Sequence, residues 1–355
     1  MVGATLVVGI AGPTVTAEEA AHLRAIHAGG FISFERNFQS PEQFIRLMAD
    51  LKAALGRELL VMVDHEGGRI IRFSSGVTRF PDPLSLGRTA APEQVQRQGE
   101  IEANELKALG VHLNLAPCVD VLIAGSDPVI SSRSYGADPR RVAELVCARI
   151  RGMQQHGVAA CAKHFPGLGA VPKDPHIHLP TLQLNWATMQ ATHLVPFVEA
   201  IRAGVAPPPT HRPEASLATG EAAAAQPWVG GGVATIMSSH VCYPRLDPTG
   251  VPATFSPRLI RTLLREELGF QGLILTDDLE MGALHALCPI GEAAVRAVEA
   301  GHDLLLICHR PEAQREAFDA LCAAYRSSRL AAAMLERTVE RVRTFKQDYL
   351  AACSC

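Results

Sequence analysis

Eight short apolar runs punctuate the chain, at 6–10, 30–34, 59–63, 113–116, 158–162, 234–237, 273–275 and 303–307. Most are continuous rather than alternating. A strand that is apolar at every position is covered on both faces, which is the habit of a parallel sheet under helices. Helical signals fill the gaps. Thr16 and Glu19 form a capping box, and Ser40-Pro41 opens a helix with Phe44, Met48, Leu51 and Leu55 on one face and a stop at Gly56. A further helix ends near Gly110. Asp138-Pro139 starts another, with Val142, Leu145, Val146, Ile150 and Met153 as its apolar face and Gly157 as its end. Ser256-Pro257 starts one that stops near Gly269, and a single closing helix is expected over 311–349. Eight strand–helix units predict a (β/α)8 TIM-type barrel, α/β in class. An open doubly wound sheet competes, but no strand is followed by its Gly-x-Gly-x-x-Gly turn. The whole of 1–355 is expected to form one catalytic barrel. The stretch 206–232, rich in Pro, Ala and Gly, breaks the rhythm and reads as a surface insertion.

Composition narrows the class. The chain has 355 residues, 48% hydrophobic and 19% charged, with a net charge of −3, enough for one large core. That balance gives no footprint for nucleic acid. No apolar run is long enough for a membrane span, and the apolar 5–11 segment has no basic residue before it, so it is taken as a strand rather than a leader. Of nine cysteines, Cys118, Cys161, Cys242 and Cys308 fall in or beside strand runs. That is the usage of buried free thiols in a reducing compartment, and a cytoplasmic location follows as the expectation. Cys353 and Cys355 read as a frayed tail. A monomer is expected.

In a barrel the active site is built at the carboxyl ends of the strands. Polar residues collect there: Asp64 after the third run, Lys163 and His164 after the fifth, His240 after the sixth, Asp277 after the seventh. Arg72, Arg133, Asp174 and His176 lie on the adjoining loops. A carboxylate beside an imidazole holds one tautomer, so Asp174-x-His176 reads as a proton donor and acceptor usable near neutral pH. Carboxylates and cations in a ring suit a polyhydroxylated substrate. Each residue has a plainer reading too. Asp277 or Asp278 can cap the next helix, Asp64 can serve a turn, Lys163 can pair with Asp64 or Asp277, and Arg72 and Arg133 can be structural. His176, His178, Asp174 and His164 are zinc-ligand types, but they match no zinc spacing. No metal and no cofactor are expected. His22, His112, His156 and His302 read as structural.

At these residues the sequence resembles glycoside hydrolase family 3, in particular its single-domain bacterial β-N-acetylhexosaminidases of peptidoglycan recycling. The likeness rests on Lys163-His-Phe-Pro-Gly167, Asp174-x-His176 and Thr276-Asp-Asp-Leu-x-Met281. It is extended by Val63-Asp-His-Glu-Gly-Gly-Arg-Ile-Ile-Arg-Phe73, Asn114-Leu-Ala-Pro117, Ser132-Arg-Ser-Tyr-Gly136 and Met237-Ser-Ser-His-Val241, in family order along nearly the whole chain. The resemblance implies a retaining, two-step exo-β-N-acetylglucosaminidase. Asp277 would be the nucleophile, His176 the acid/base and Asp174 its partner. Asp64, Arg72, Arg133, Lys163 and His164 would bind the sugar. The partner would be a small glycan, terminal β-linked N-acetylglucosamine on muropeptide fragments that carry anhydro-N-acetylmuramic acid. A histidine acid places little negative charge beside the bond, so phosphorolysis stays open as an alternative. A barrel that binds sugar with impaired hydrolysis is the other. The family usually has His where this chain has Leu168, and Ser where it has Pro175. Pro175 stiffens its loop, and activity is expected to be retained but reduced.

Overall fold

The computed structural model describes residues 1–123, 126, 128–171, 179–203 and 231–350. Eight parallel strands close on themselves in sequence order. They are β1 (Leu6–Val8), β2 (Gly30–Ser33), β3 (Leu60–Val63), β4 (Leu113–Asn114), β5 (Ala159–Phe165), β6 (Thr235–Ser238), β7 (Leu273–Asp278) and β8 (Leu304–Ile307). β1 pairs with both β2 and β8, which seals the ring. The expected TIM-type barrel is therefore the fold.

The helices are α1 (Ala17–Ala25), α2 (Pro41–Leu55), α3 (Pro83–Thr89), α4 (Pro92–Ala108), α5 (Pro128–Ser131), α6 (Pro139–Gln155), α7 (Trp186–Ala191), α8 (Val195–Arg202), α9 (Gly282–His285), α10 (Ile290–Ala300), α11 (Pro311–Arg326) and α12 (Ala332–Leu350). A π-helical segment, Arg258–Glu267, lies between β6 and β7. Its start is capped by Ser256, whose hydroxyl accepts the Leu259 amide at 3.0 Å. Thr16 and Glu19 cap α1 reciprocally. Gly56 ends α2 in the left-handed conformation at φ 66°.

Strand side chains alternate between two cores. Leu6 and Val8 face the helices, while Val7 faces the barrel interior with Ile32, Leu60, Met62, Leu113 and Leu275. Three residues of α12 join that interior cluster: Val342, Phe345 and Tyr349. Each of them is buried. They close the end of the barrel opposite the candidate site.

Two boundaries differ from expectation. The closing helix over 311–349 is two helices, α11 and α12. Ser328 separates them with φ 61°, a left-handed turn made without the glycine that signals one in sequence. β5 and β7 run on through Phe165 and Asp278, so Lys163, His164 and Asp277 sit in strands rather than after them. Most of the expected insertion at 206–232 lies outside the described residues, as do Cys353 and Cys355.

Candidate active site

A cavity of about 260 Å³ opens at the carboxyl ends of the strands. Asp64, Arg72, Arg133, Lys163, His164 and Asp277 all line it. Six of the eight residues expected at the site thus share one pocket. The other two, Asp174 and His176, lie outside the described residues, together with Pro175 and His178.

β5 supplies the centre. Lys163 is buried, and its Nζ donates to Asp64 Oδ1 at 2.6 Å and pairs with Glu66 Oε1 at 2.7 Å. Burial alone would lower the Lys163 pKa, but the Asp64 and Glu66 carboxylates outweigh it and hold the ammonium charged. Arg133 grips the same Glu66 with two bonds, Nε to Oε2 at 2.8 Å and a terminal nitrogen to Oε1 at 2.7 Å. Burial would raise the Glu66 pKa, and these two cations instead press it well below the ordinary range. Glu66 is therefore the hub that fixes both cations. It was not singled out from sequence. The available signal is its spacing: residues two apart on an extended segment share a face, so Asp64 and Glu66 point together.

Arg133 also donates to His164 Nε2 at 3.2 Å, and His164 Nδ1 lies 2.8 Å from Asp120 Oδ2. Asp120 is a second residue that sequence reading passed over. Its clue is a lone carboxylate in an apolar stretch, which must be partnered once buried. Arg72 reaches Glu35 at 3.3 Å and Asp64 at 4.0 Å, while its Nε is a buried donor without a partner among the described residues. Leu168 turns its side chain into the helix-facing core and donates its amide to Asp120 Oδ1 at 2.6 Å.

Asp277 is half-buried and accepts the Asp278 amide at 2.8 Å. Burial would raise its pKa, but the His164 and His240 imidazoles, the Asp278 amide and the Lys163 ammonium more than offset that and leave the carboxyl below its ordinary value. It is ionised at neutral pH. His240 is buried, its Nδ1 2.6 Å from Thr254 Oγ1 and its Nε2 2.9 Å from the Asp278 carbonyl. Asp278 accepts amides from Glu280 and Cys308 and so shapes the turn after β7, whereas the helix cap expected of it falls to Met281, at the start of α9.

Among the described residues, Cys118, Asp120 and His164 are one group of metal-ligand types, with ligand atoms within 4.8 Å of one another. Those atoms already bond to each other: the Cys118 thiol donates to Asp120 at 3.3 Å, beside the His164 contact. No helix of the described residues is long and apolar enough to cross a membrane.

A closed parallel barrel with ionised carboxylates and paired cations at the carboxyl ends of its strands has the architecture of an enzyme, with polar groups that suit a hydroxyl-rich ligand. The model of the glycosyl hydrolase family 3 N-terminal domain matches residues 3–207 and 203–345. The chain belongs to this family and is a glycoside hydrolase. It is 36% identical over 310 residues to a β-hexosaminidase of Neisseria meningitidis, covering 85% of this chain and 77% of that protein. It resembles NagZ of Neisseria gonorrhoeae, solved with N-trifluoroacetyl-D-glucosamine, at 32% identity and TM-score 0.78, over 99% of this chain and 93% of that one. A family 3 β-N-acetylglucosaminidase of a Paenibacillus species matches at 36% identity and TM-score 0.88, and the chain spans 62% of its length.

Proposed function

We propose that the protein is an exo-β-N-acetylglucosaminidase that removes terminal β-linked N-acetylglucosamine from peptidoglycan fragments by a retaining, two-step route. The observation that carries this reading is Asp277, an ionised carboxylate on the wall of a pocket lined by Lys163, His164, Arg133 and Arg72. The names of the relatives supply the sugar.

In the first step Asp277 attacks the anomeric carbon, and the bond to the leaving oxygen breaks as His176 gives that oxygen a proton. The sugar is now an ester of Asp277. Asp174 steadies the imidazolium of His176 before the transfer. In the second step the neutral His176 takes a proton from water, which attacks the same carbon and frees Asp277. Two inversions leave the β configuration intact. Asp64, Lys163, His164, Arg133 and Arg72 hold the sugar hydroxyls, and Arg72 Nε, without a partner among the described residues, is the donor offered to one of them.

The test uses 4-nitrophenyl N-acetyl-β-glucosaminide. Asp277→Ala should release nitrophenol more slowly by roughly three orders of magnitude or more. Added azide should restore turnover in that variant and yield the α-glycosyl azide, since one inversion replaces two. Equal rates for wild type and Asp277→Ala would remove Asp277 from the chemistry. A β-azide product would reassign it to acid/base work.

A further inference from the structure

We propose that Asp120 is a positioning residue that fixes the tautomer of His164, and through it the place of Arg133 in the sugar pocket. The proposal rests on the reading above that His164 and Arg133 bind the sugar. Asp120 has no exposed surface. Four donors converge on its carboxylate. His164 Nδ1 lies at 2.8 Å, the His164 amide at 3.3 Å, the Leu168 amide at 2.6 Å and the Cys118 thiol at 3.3 Å. Among the described residues no lysine or arginine pairs with it. A buried charge held by donors alone imposes the direction of every bond around it, because an ionised carboxylate can only accept.

That direction passes through the ring. Nδ1 must carry the proton that it donates to Asp120. Arg133 cannot accept, so the atom that it meets at 3.2 Å must offer a lone pair, and that atom is Nε2. Both contacts demand the same neutral Nδ1–H form. Arg133 in turn is held by Glu66 with two bonds. The line Asp120–His164–Arg133–Glu66–Lys163 therefore runs unbroken across the floor of the pocket, each member fixed by the next. Cys118 and the Leu168 amide add to the carboxylate what a charged partner would otherwise supply.

Asparagine at 120 breaks the logic with almost no change of shape. Its one carbonyl oxygen is claimed by the backbone amides of His164 and Leu168. Its NH₂ then faces Nδ1, which must become the acceptor. The proton moves to Nε2 and meets the Arg133 guanidinium, donor against donor. Arg133 is displaced and sugar affinity falls.

Two measurements test this. In wild-type protein labelled with ¹⁵N-histidine, the His164 nitrogens should report a protonated Nδ1 and a bare Nε2. A bare Nδ1 overturns the proposal, with no variant needed. In a double-mutant cycle, the Kd for N-acetylglucosamine should rise about 10- to 100-fold on Asp120→Asn in wild type, the worth of a hydrogen bond to a charged group. The same change in a His164→Gln background should cost less than about threefold, because the residue through which Asp120 acts is already gone. Equal losses in the two backgrounds would mean that Asp120 supports the fold alone, and would overturn the proposal. Thermal unfolding of each variant separates misfolding from lost affinity, and where Asp120→Asn does not fold, the wild-type spectrum decides. If wild type binds no N-acetylglucosamine, the sugar reading fails while the tautomer result still stands or falls on its own.

Discussion

At the scale of single residues, the pocket is a problem of charge compensation. Lys163, Arg133 and Glu66 are all at or below one-tenth exposure, where an unpaired charge is costly. Glu66→Gln keeps the shape and one acceptor but strips the counter-charge from two buried cations. Removing one partner of such a set costs about 3 kcal/mol or more, far beyond the worth of a surface pair. The expected outcome is a lower urea midpoint together with weaker binding of N-acetylglucosamine by calorimetry. An unchanged midpoint would mean that Asp64 alone suffices for Lys163. This network also shows what sequence could reveal. Residues ending apolar runs were legible, because polarity there has few structural uses: Asp64, Lys163, His164 and Asp277 all reach the pocket. Glu66 and Asp120 were not, since their importance lies in whom they meet across the barrel. Glu66 meets Arg133 from 67 positions away, and Asp120 meets His164 from 44.

At the scale of elements, the strands were readable because a continuous apolar run has one economical use, a parallel strand covered on both faces. Helix starts were readable where Ser, Thr or Asp precedes the first turn, as at Thr16, Ser40 and Asp138. α7 and α8 gave no comparable run of periodic positions, and the break between α11 and α12 falls at Ser328, where no Gly or Pro marks the turn. Packing between α4 and α6 was likewise invisible, because it depends on absent side chains. A Cβ at Gly152 would stand 2.1 Å from the Gln96 carbonyl, and one at Gly99 would stand 2.5 Å from the Arg149 carbonyl. These glycines let the two backbones meet. Arg149 and Glu102 then bond across the same seam at 2.9 Å, and Arg149 reaches the His65 carbonyl behind the pocket at 3.2 Å. Gly152→Ala sets two effects against each other. Alanine improves helix propensity by about 1 kcal/mol. The clash is with backbone, which cannot rotate away, and overpacking of this kind costs about 1–3 kcal/mol. The clash should win, and the urea midpoint should fall. A rise would show that the helices have room to part.

At the scale of the whole molecule, stability should depend on pH through histidines that the fold keeps neutral. His65, His112 and His302 are each buried, and burial pushes their pKa values down to about 4. Their neighbours suit the neutral ring. His112 Nδ1 accepts the Val61 amide at 3.0 Å, and the His302 nitrogens meet the Ala297 carbonyl at 3.0 Å and Ser238 Oγ at 2.8 Å. In the unfolded chain each titrates near pH 6.5. Between those two values the unfolded state binds more protons, so stability rises with pH across the window. The contribution is complete above about pH 6.5 and drains away as pH falls toward about 4. Each pKa unit is worth about 1.4 kcal/mol per group, so three such groups make the loss several kcal/mol, of the same order as the total stability of a domain. Urea unfolding at about pH 7 and about pH 5 should show it, as a midpoint that drops in the more acid buffer. His302→Gln can keep both hydrogen bonds without titrating, so it should lessen that drop by one proton's worth. A midpoint that does not move over this range would mean that the three rings are charged in the folded protein. The hydrogen-bond directions inferred around them would then be wrong.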